Sequence, residues 1–142
     1  ARTGVCDTLT LRRAAPGIKL KVKGGPKELG RAEDNIIHKA AVRFFDAFRI
    51  EPSVEIALEK VIPVGAGLGG GSSDAAAALL GLAKLYRVPR SGFPKLMRIA
   101  AAIGSDVAFF LLGEMVEFGA KKDIFITPRD RRTQDYIEGR FG

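Results

Sequence analysis

The chain has 142 residues, of which 46% are hydrophobic and 27% charged, as is usual for one soluble domain. Its formal net charge of +7 favours an anionic partner such as a nucleotide or a small diphosphate. Nucleic acid is a disfavoured partner, because the basic residues are scattered and do not alternate with aromatic residues. No apolar stretch reaches the roughly 18 residues that a membrane span needs. The single cysteine, Cys6, excludes an internal disulfide and a cysteine-rich metal site, and it suits the reducing cytoplasm.

The first half of the chain predicts two strands, a helix and a third strand. Alternating apolar residues indicate strands over 7–13 and 18–22, with a turn between them. A helix capped by Asp34 or Asn35 is expected to run to about Phe48, because apolar residues recur along it at helical spacing. The segment 54–58 again alternates and predicts a strand.

The second half predicts helices and then a further strand pair. Alanine-rich sequence indicates a helix over about 73–86, and a second helix is expected over 93–103. After these come a turn at 104–106, an apolar run at 107–112, a strand at 114–118 and a short helix near 133–138. This order of elements predicts a mixed α+β domain.

The segment Pro63-Val-Gly-Ala-Gly-Leu-Gly-Gly-Gly-Ser-Ser-Asp74 carries the strongest functional signal. It lies directly before the alanine-rich helix, whose N-terminus presents unpaired N–H groups and the positive end of the helix dipole. Glycines let a phosphate approach these donors, and Ser72, Ser73 and Asp74 are suitable capping residues. A flexible connection is the alternative, but apolar Ile62 and Val64 in the segment disfavour it. We therefore interpret the segment as a phosphate-binding loop.

Two common phosphate motifs do not fit this loop. The Walker motif ends in Gly-Lys-Ser/Thr, whereas Ser72 follows Gly71 here and the next lysine is Lys84. The dinucleotide fingerprint has different glycine spacing and an acidic residue about 20 positions further on. Neither motif explains the loop.

The loop closely resembles the ATP loop of the GHMP-type small-molecule kinases, in particular those of non-mevalonate isoprenoid synthesis. Further matches at 7–9, 34–40 and 104–107 follow the family's order, so the resemblance covers roughly residues 5–107. It implies an N-terminal GHMP-kinase-like domain with the α+β fold known as ribosomal protein S5 domain 2-like. It also implies transfer of the ATP γ-phosphate to the 2-hydroxyl of 4-diphosphocytidyl-2-C-methyl-D-erythritol, with ATP and Mg²⁺ as cofactors.

The resemblance also assigns roles to individual residues. Asp106 matches the catalytic aspartate that orients or deprotonates the substrate hydroxyl, although it could equally be an ordinary turn residue. Ser73 matches a position that helps to hold phosphate and magnesium, and Asn35 matches one beside the nucleotide base. Both serines and Asn35 could equally be helix caps. The residues expected to contact the nucleotide are Pro63, Gly65, Gly67, Leu68, Gly69, Gly70, Gly71, Ser72, Ser73 and Asn35.

The tail departs from this resemblance and suggests a division into residues 1–107 and 108–142. Residues after about 108, and above all those from Lys121 onward, resemble the C-terminal end of a phosphate-import ABC transporter ATPase. We therefore expect a chimera joined near Asp106–Phe110. A divergent kinase tail is the alternative.

Parts of the kinase pattern have no match in this sequence. These are the family's catalytic lysine motif, its substrate motif and its second domain. Two hypotheses follow: a kinase impaired by truncation, or a fragment that binds nucleotide without catalysis or merely folds. The missing domain also predicts uncovered apolar surface and self-association into a homo-oligomer.

Overall fold

The computed structural model describes residues 7–24, 35–60, 70–120 and 140–141. The elements are β1 (Thr8–Arg13), β2 (Gly17–Lys23), α1 (Ile36–Phe48), β3 (Ser53–Glu59), α2 (Gly70–Leu85), α3 (Phe93–Ile103), α4 (Ser105–Ala120) and β4 (Arg140–Phe141). The mixed α+β class is confirmed. The expected loop residues 63–69 and the expected helix near 133–138 lie outside the described residues. No described helix is long and apolar enough to cross a membrane.

The sheet is organised around β3, and its strand order is β2-β3-β1-β4. β3 pairs with β2 in parallel and with β1 in antiparallel orientation. Glycine is needed at the start of β2, because Gly17 has a φ of 112° and donates its N–H to the Pro52 carbonyl at 2.8 Å. The register pairs Thr8 of β1 with Glu59 of β3. The residue before β1 and the residue after β3 are therefore neighbours.

The two faces of the sheet differ in polarity. Leu9 and Leu11 of β1 and Val54, Ile56 and Leu58 of β3 are buried toward the helices. On the other face, Lys21 and Arg12 both form ion pairs with Glu55 and hold its pKa below the ordinary value. This alternation is the period-2 pattern of a sheet with one buried face and one polar face.

Helix α2 lies at the centre of the helical layer. It contacts α1, α3, α4 and β1, and every residue from Asp74 to Ala83 is buried. Helix α1 packs its apolar stripe, including Ile37 and Phe44, into the same core. Its cap is Asn35, whose Oδ1 accepts a hydrogen bond from the Ile37 N–H at 2.8 Å, as the sequence predicts. A helix buried on all sides is typical of a core position.

The strand pair expected over 107–118 is wrong. These residues belong to α4, in which Val107, Leu111 and Glu114 are buried at helical spacing. The expected turn at 104–106 is also shorter than predicted, because Ser105 and Asp106 already belong to the first turn of α4. An aspartate suits this position because it interacts favourably with the positive end of the helix dipole.

The capping roles expected at the start of α2 are wrong as well. The helix begins at Gly70, so Ser72, Ser73 and Asp74 lie inside it and not at its N-cap. Gly70 and Gly71 have low helix propensity, which is why the sequence places the start three residues later. The helix N-terminus therefore falls within the glycine-rich sequence itself.

Truncating the buried Leu79 of α2 should destabilise the fold far more than truncating the exposed Leu112 of α4. Leu79 is fully buried, whereas Leu112 is 52% exposed. Leu79→Ala should lower the free energy of unfolding by about 2–5 kcal/mol, because it leaves a cavity. Leu112→Ala should change it by about 0.5 kcal/mol or less. Urea denaturation followed by circular dichroism measures both, and equal losses would contradict this core assignment.

Candidate functional site

A buried ion-pair cluster lies at both ends of the glycine-rich segment. Lys60 follows β3 and precedes the segment, and Asp74 lies in α2 just beyond it. The Lys60 ammonium lies 2.8 Å from Asp7 Oδ2 and 3.1 Å from Asp74 Oδ2. The side chains of Lys60, Asp7 and Asp74 are 6%, 1% and 8% exposed. We call these three residues the Lys60 cluster.

The sheet fixes the position of Lys60. Its N–H donates to the Lys23 carbonyl at 2.8 Å, which extends the β2–β3 pairing by one residue. Gly24 lies close to the Lys60 carbonyl, since a Cβ built on Gly24 would be 2.7 Å from that oxygen. Gly24 also has a φ of 82°, so it needs to be glycine for two reasons. The chain therefore enters the glycine-rich segment from a defined backbone position.

The charges of the Lys60 cluster are coupled. Burial raises the pKa of Asp74 to about 8, and the hydrogen bond and charge of Asp7 raise it further than Lys60 lowers it. Burial lowers the pKa of Lys60, but its bonds to Asp7 and Asp74 outweigh that effect and leave the pKa above its ordinary value. At neutral pH the Asp74 carboxyl is thus mainly protonated beside a charged ammonium.

The C-terminal end of α2 is held to the sheet by different contacts. The Tyr86 hydroxyl donates to the Ser53 carbonyl at 2.9 Å. The Arg13 guanidinium lies 4.6 Å from the centre of the Tyr86 ring and also donates to the Leu85 carbonyl at 3.2 Å. Both ends of α2 are therefore attached to the β1–β3 pair, one by an ion-pair cluster and the other by an aromatic contact.

The first turn of α2 contains three of the predicted nucleotide contacts. Gly71 is exposed, and a Cβ added there would meet no atom within 4 Å. Ser72 and Ser73 are half-buried, and the first turn carries no acidic residue. Gly70 begins the helix, whereas Pro63, Gly65, Gly67, Leu68 and Gly69 lie outside the described residues. This helix end has space, N–H donors and positive polarity for an anion.

The remaining two predicted residues each begin another helix. Asn35 caps α1 through its side-chain oxygen. Asp106 is exposed in the first turn of α4, a helix that packs against α2. Within the described ranges, no group of three histidine, cysteine, aspartate or glutamate side chains is arranged to hold a metal ion.

A groove of about 510 Å³ lies elsewhere, near the end of α1 and the start of β3. Its lining mixes apolar Ile18 and Val42 with charged Asp46, Arg49 and Glu51. β3 runs its full length between this groove and Lys60. The groove is thus separate from the glycine-rich segment.

Sequence reasoning missed the Lys60 cluster. Asp7 was noted only as part of a family match, and Asp74 as a cap or a charge that would oppose phosphate unless a cation intervenes. Lys60 is that cation. Two signals point to the cluster: an aspartate inside an alanine-rich buried helix, and a lysine directly after a buried strand. A charged residue in such a setting needs a buried partner.

Comparison with known proteins identifies relatives of this chain. A family model described as the GHMP kinases N terminal domain matches residues 35–114. A protein of Syntrophomonas wolfei named 4-diphosphocytidyl-2-C-methyl-D-erythritol kinase is 40% identical over 112 residues, which are 79% of this chain and 38% of the relative. Its namesake in Deinococcus radiodurans is 41% identical over 109 residues, 77% of this chain and 36% of the relative.

A solved structure agrees with these sequence relatives. A crystal structure of 4-(cytidine 5'-diphospho)-2C-methyl-D-erythritol kinase has a TM-score of 0.62 and 39% sequence identity to this chain. The match covers 77% of this chain and 37% of that one. The chain therefore spans less than two fifths of the length of these relatives. None of these matches supports the resemblance of residues 108–142 to a transporter ATPase.

Replacing Asp74 by asparagine should change how stability depends on pH. The folded protein keeps the Asp74 proton up to about pH 8, whereas the unfolded chain loses it near the ordinary value of 3.8. The folded state thus binds more protons between these values, so this residue's contribution to stability falls as pH rises through that window. The free energy of unfolding of the wild type, minus that of Asp74→Asn, should fall between about pH 4 and 8. Urea titrations at several pH values test this, and a difference that rises would contradict it.

Proposed function

Because the chain belongs to the GHMP kinase family, we propose that it supplies the ATP-binding part of a small-molecule kinase. The reaction is phosphorylation of the 2-hydroxyl of 4-diphosphocytidyl-2-C-methyl-D-erythritol, by analogy with the relatives that bear that kinase's name. The observation that carries the proposal is the N-terminus of α2. It begins within a glycine-rich sequence, has open space at Gly71 and has no acidic residue in its first turn.

Each part of this helix end suits a triphosphate. Backbone N–H groups of the first turn are donors, and the hydroxyls of Ser72 and Ser73 add two more. Pro63, Gly65, Gly67, Leu68, Gly69 and Gly70 complete the proposed phosphate contacts. Asn35 is proposed to lie beside the base while its oxygen caps α1. The arrangement favours positioning and charge stabilisation, which are the main requirements of phosphoryl transfer.

Asp106 is the proposed base that orients or deprotonates the acceptor hydroxyl. Its exposed position at the start of α4 leaves it accessible to a substrate. Mg²⁺ fits this site as a partner of the phosphates, with Ser73 as its protein ligand, because Asp74 is already bound to Lys60. The ion would neutralise charge on the transferring group.

Turnover is a separate question from binding. The chain spans 38% of the length of one relative, and no segment matches the family's catalytic lysine motif. Loss of such a lysine typically raises the barrier by several kcal/mol. We therefore propose nucleotide binding with weak catalysis, in the cytoplasm. A fragment without catalysis remains the second candidate.

The origin of the tail is a hypothesis of its own. In the transporter-like interpretation, residues 108–142 were joined to a kinase domain near Asp106–Phe110. That junction falls inside α4, which is continuous from Ser105 to Ala120, and the family model extends to residue 114. The alternative is a divergent kinase tail, and the helix and the length of the match favour it.

A negative charge at Gly71 should weaken ATP binding without unfolding the protein. The position is exposed and open, so Gly71→Ala and Gly71→Asp should both fold. Gly71→Asp places a carboxylate where the phosphates bind and should raise the dissociation constant of Mg-ATP about tenfold or more. Isothermal titration measures the constant, and Gly71→Ala reports the effect of the side chain without charge.

Gly113→Asp is the matched control for the added charge. Gly113 is also exposed in a helix and has no atom within 4 Å of an added Cβ, but it lies in α4. It should leave the affinity for Mg-ATP within about twofold of the wild type. Equal weakening by both aspartates, or no binding by the wild type, would overturn the proposed function.

Self-association should depend on the exposed apolar residues of α4. Phe109 is 72% and Leu112 is 52% exposed, and they lie three residues apart on one helix. We expect oligomers at high protein concentration and a shift toward monomer in Phe109→Ser. Light scattering measures the mass, and a wild-type monomer at every concentration would contradict the expectation.

A further inference from the structure

We propose that Lys60, Asp7 and Asp74 are positioning residues that set the nucleotide affinity of the α2 N-terminus without contacting the nucleotide. The inference rests on the proposed function of that helix end. Nothing in the family match assigns these three side chains such a role. Two physical arguments carry it, one from chain geometry and one from charge.

The geometric argument starts from the ends of the glycine-rich segment. Lys60 and Asp74 are 14 residues apart, and their side chains are joined by a contact of 3.1 Å. Asp7 joins the same ammonium at 2.8 Å and belongs to the chain just before β1. The cluster therefore fixes where the first turn of α2 lies relative to the end of β3. Glycines have the greatest backbone freedom, so a loop rich in them gains most from fixed ends.

The charge argument concerns Asp74. It is the fifth residue of α2, so it follows directly on the first turn that is proposed to bind phosphate. A free carboxylate at this distance would repel a polyanion and oppose the helix dipole. The contact with Lys60, and the proton that Asp74 keeps at neutral pH, remove that repulsion. The helix end therefore stays positive.

Lys60 cannot itself replace the family's catalytic lysine in this geometry. Its side chain is 6% exposed, and its ammonium is bound by two carboxylates. A lysine that reaches a phosphate needs donors directed at the ligand, whereas those of Lys60 are directed at Asp7 and Asp74. Its effect on binding is therefore indirect.

The test compares the two ends of α2 in the full chain. Lys60→Met removes the ammonium and leaves two buried carboxylates, so it should raise the dissociation constant of Mg-ATP about tenfold or more. Tyr86→Phe removes the hydroxyl that binds Ser53 at the opposite end of the helix. It should lower the melting temperature while leaving the dissociation constant within about twofold. Equal loss of affinity in both variants would mean a general stability effect and would overturn the inference.

The pH profile separates a positioning role from a merely structural one. Above about pH 8 Asp74 ionises, and the cluster then carries two carboxylates for one ammonium. The charged groups that act on Asp74 are Asp7 from the β1 side and Lys60 from the β3 side, with none described from α1, α3 or α4. Between pH 7 and 9 the wild type should lose about threefold or more of its Mg-ATP affinity relative to Asp74→Asn. Titration of the nucleotide cancels in this ratio, and parallel profiles would overturn the inference.

Amide hydrogen exchange gives a readout that needs no ligand. The amides of residues 70–74 should exchange about tenfold or more faster in Lys60→Met than in Tyr86→Phe at matched stability. Unchanged exchange would overturn the inference even where ATP binds. Conversely, faster exchange in a chain whose wild type binds no ATP would sustain the positioning effect and refute only the nucleotide function. If Lys60→Met does not fold, the pH comparison with Asp74→Asn decides.

Discussion

The Lys60 ammonium, buried between the carboxyl groups of Asp7 and Asp74, is the contact on which the rest of the arrangement depends. It joins the start of β1, the end of β3 and the first turns of α2, three pieces of chain that are far apart in sequence. A buried ion pair has a large desolvation cost, and removing one member typically costs about 3–5 kcal/mol. Protonation of Asp74 reduces that cost, because only one carboxylate then faces one ammonium.

The proposed site follows from this contact. The β1–β3 register brings Asp7 and Lys60 together, and the ion pair with Asp74 then brings the N-terminus of α2 to the same edge of the sheet. At the other edge, the contact between Tyr86 and Ser53 fixes the end of the helix. The glycine-rich sequence can therefore be free of bulky side chains, because buried residues outside it determine its position. Binding and support are carried by different residues.

The sequence predicted the parts of the fold that depend on local patterns. Alternation marked β1, β2 and β3, and Asn35 was recognised as a cap because its side chain bonds the backbone two residues away. It could not predict the Lys60 cluster, since that contact depends on strand register and joins residues up to 67 positions apart. It misplaced the start of α2 because two glycines hide a helix that tertiary packing stabilises. It missed α4 because a short apolar run fits a strand or a buried helix equally well.

The most direct test of the account is to map where Mg-ATP binds on the 142-residue chain. Amide chemical shifts of the ¹⁵N-labelled protein, recorded by nuclear magnetic resonance with and without Mg-ATP, report the site residue by residue. The account predicts the largest changes at the amides of Gly70 to Ser73, with smaller changes at the start of α1. Changes concentrated instead around the groove at Arg49 to Pro52, or on the lysines of β2, would contradict it.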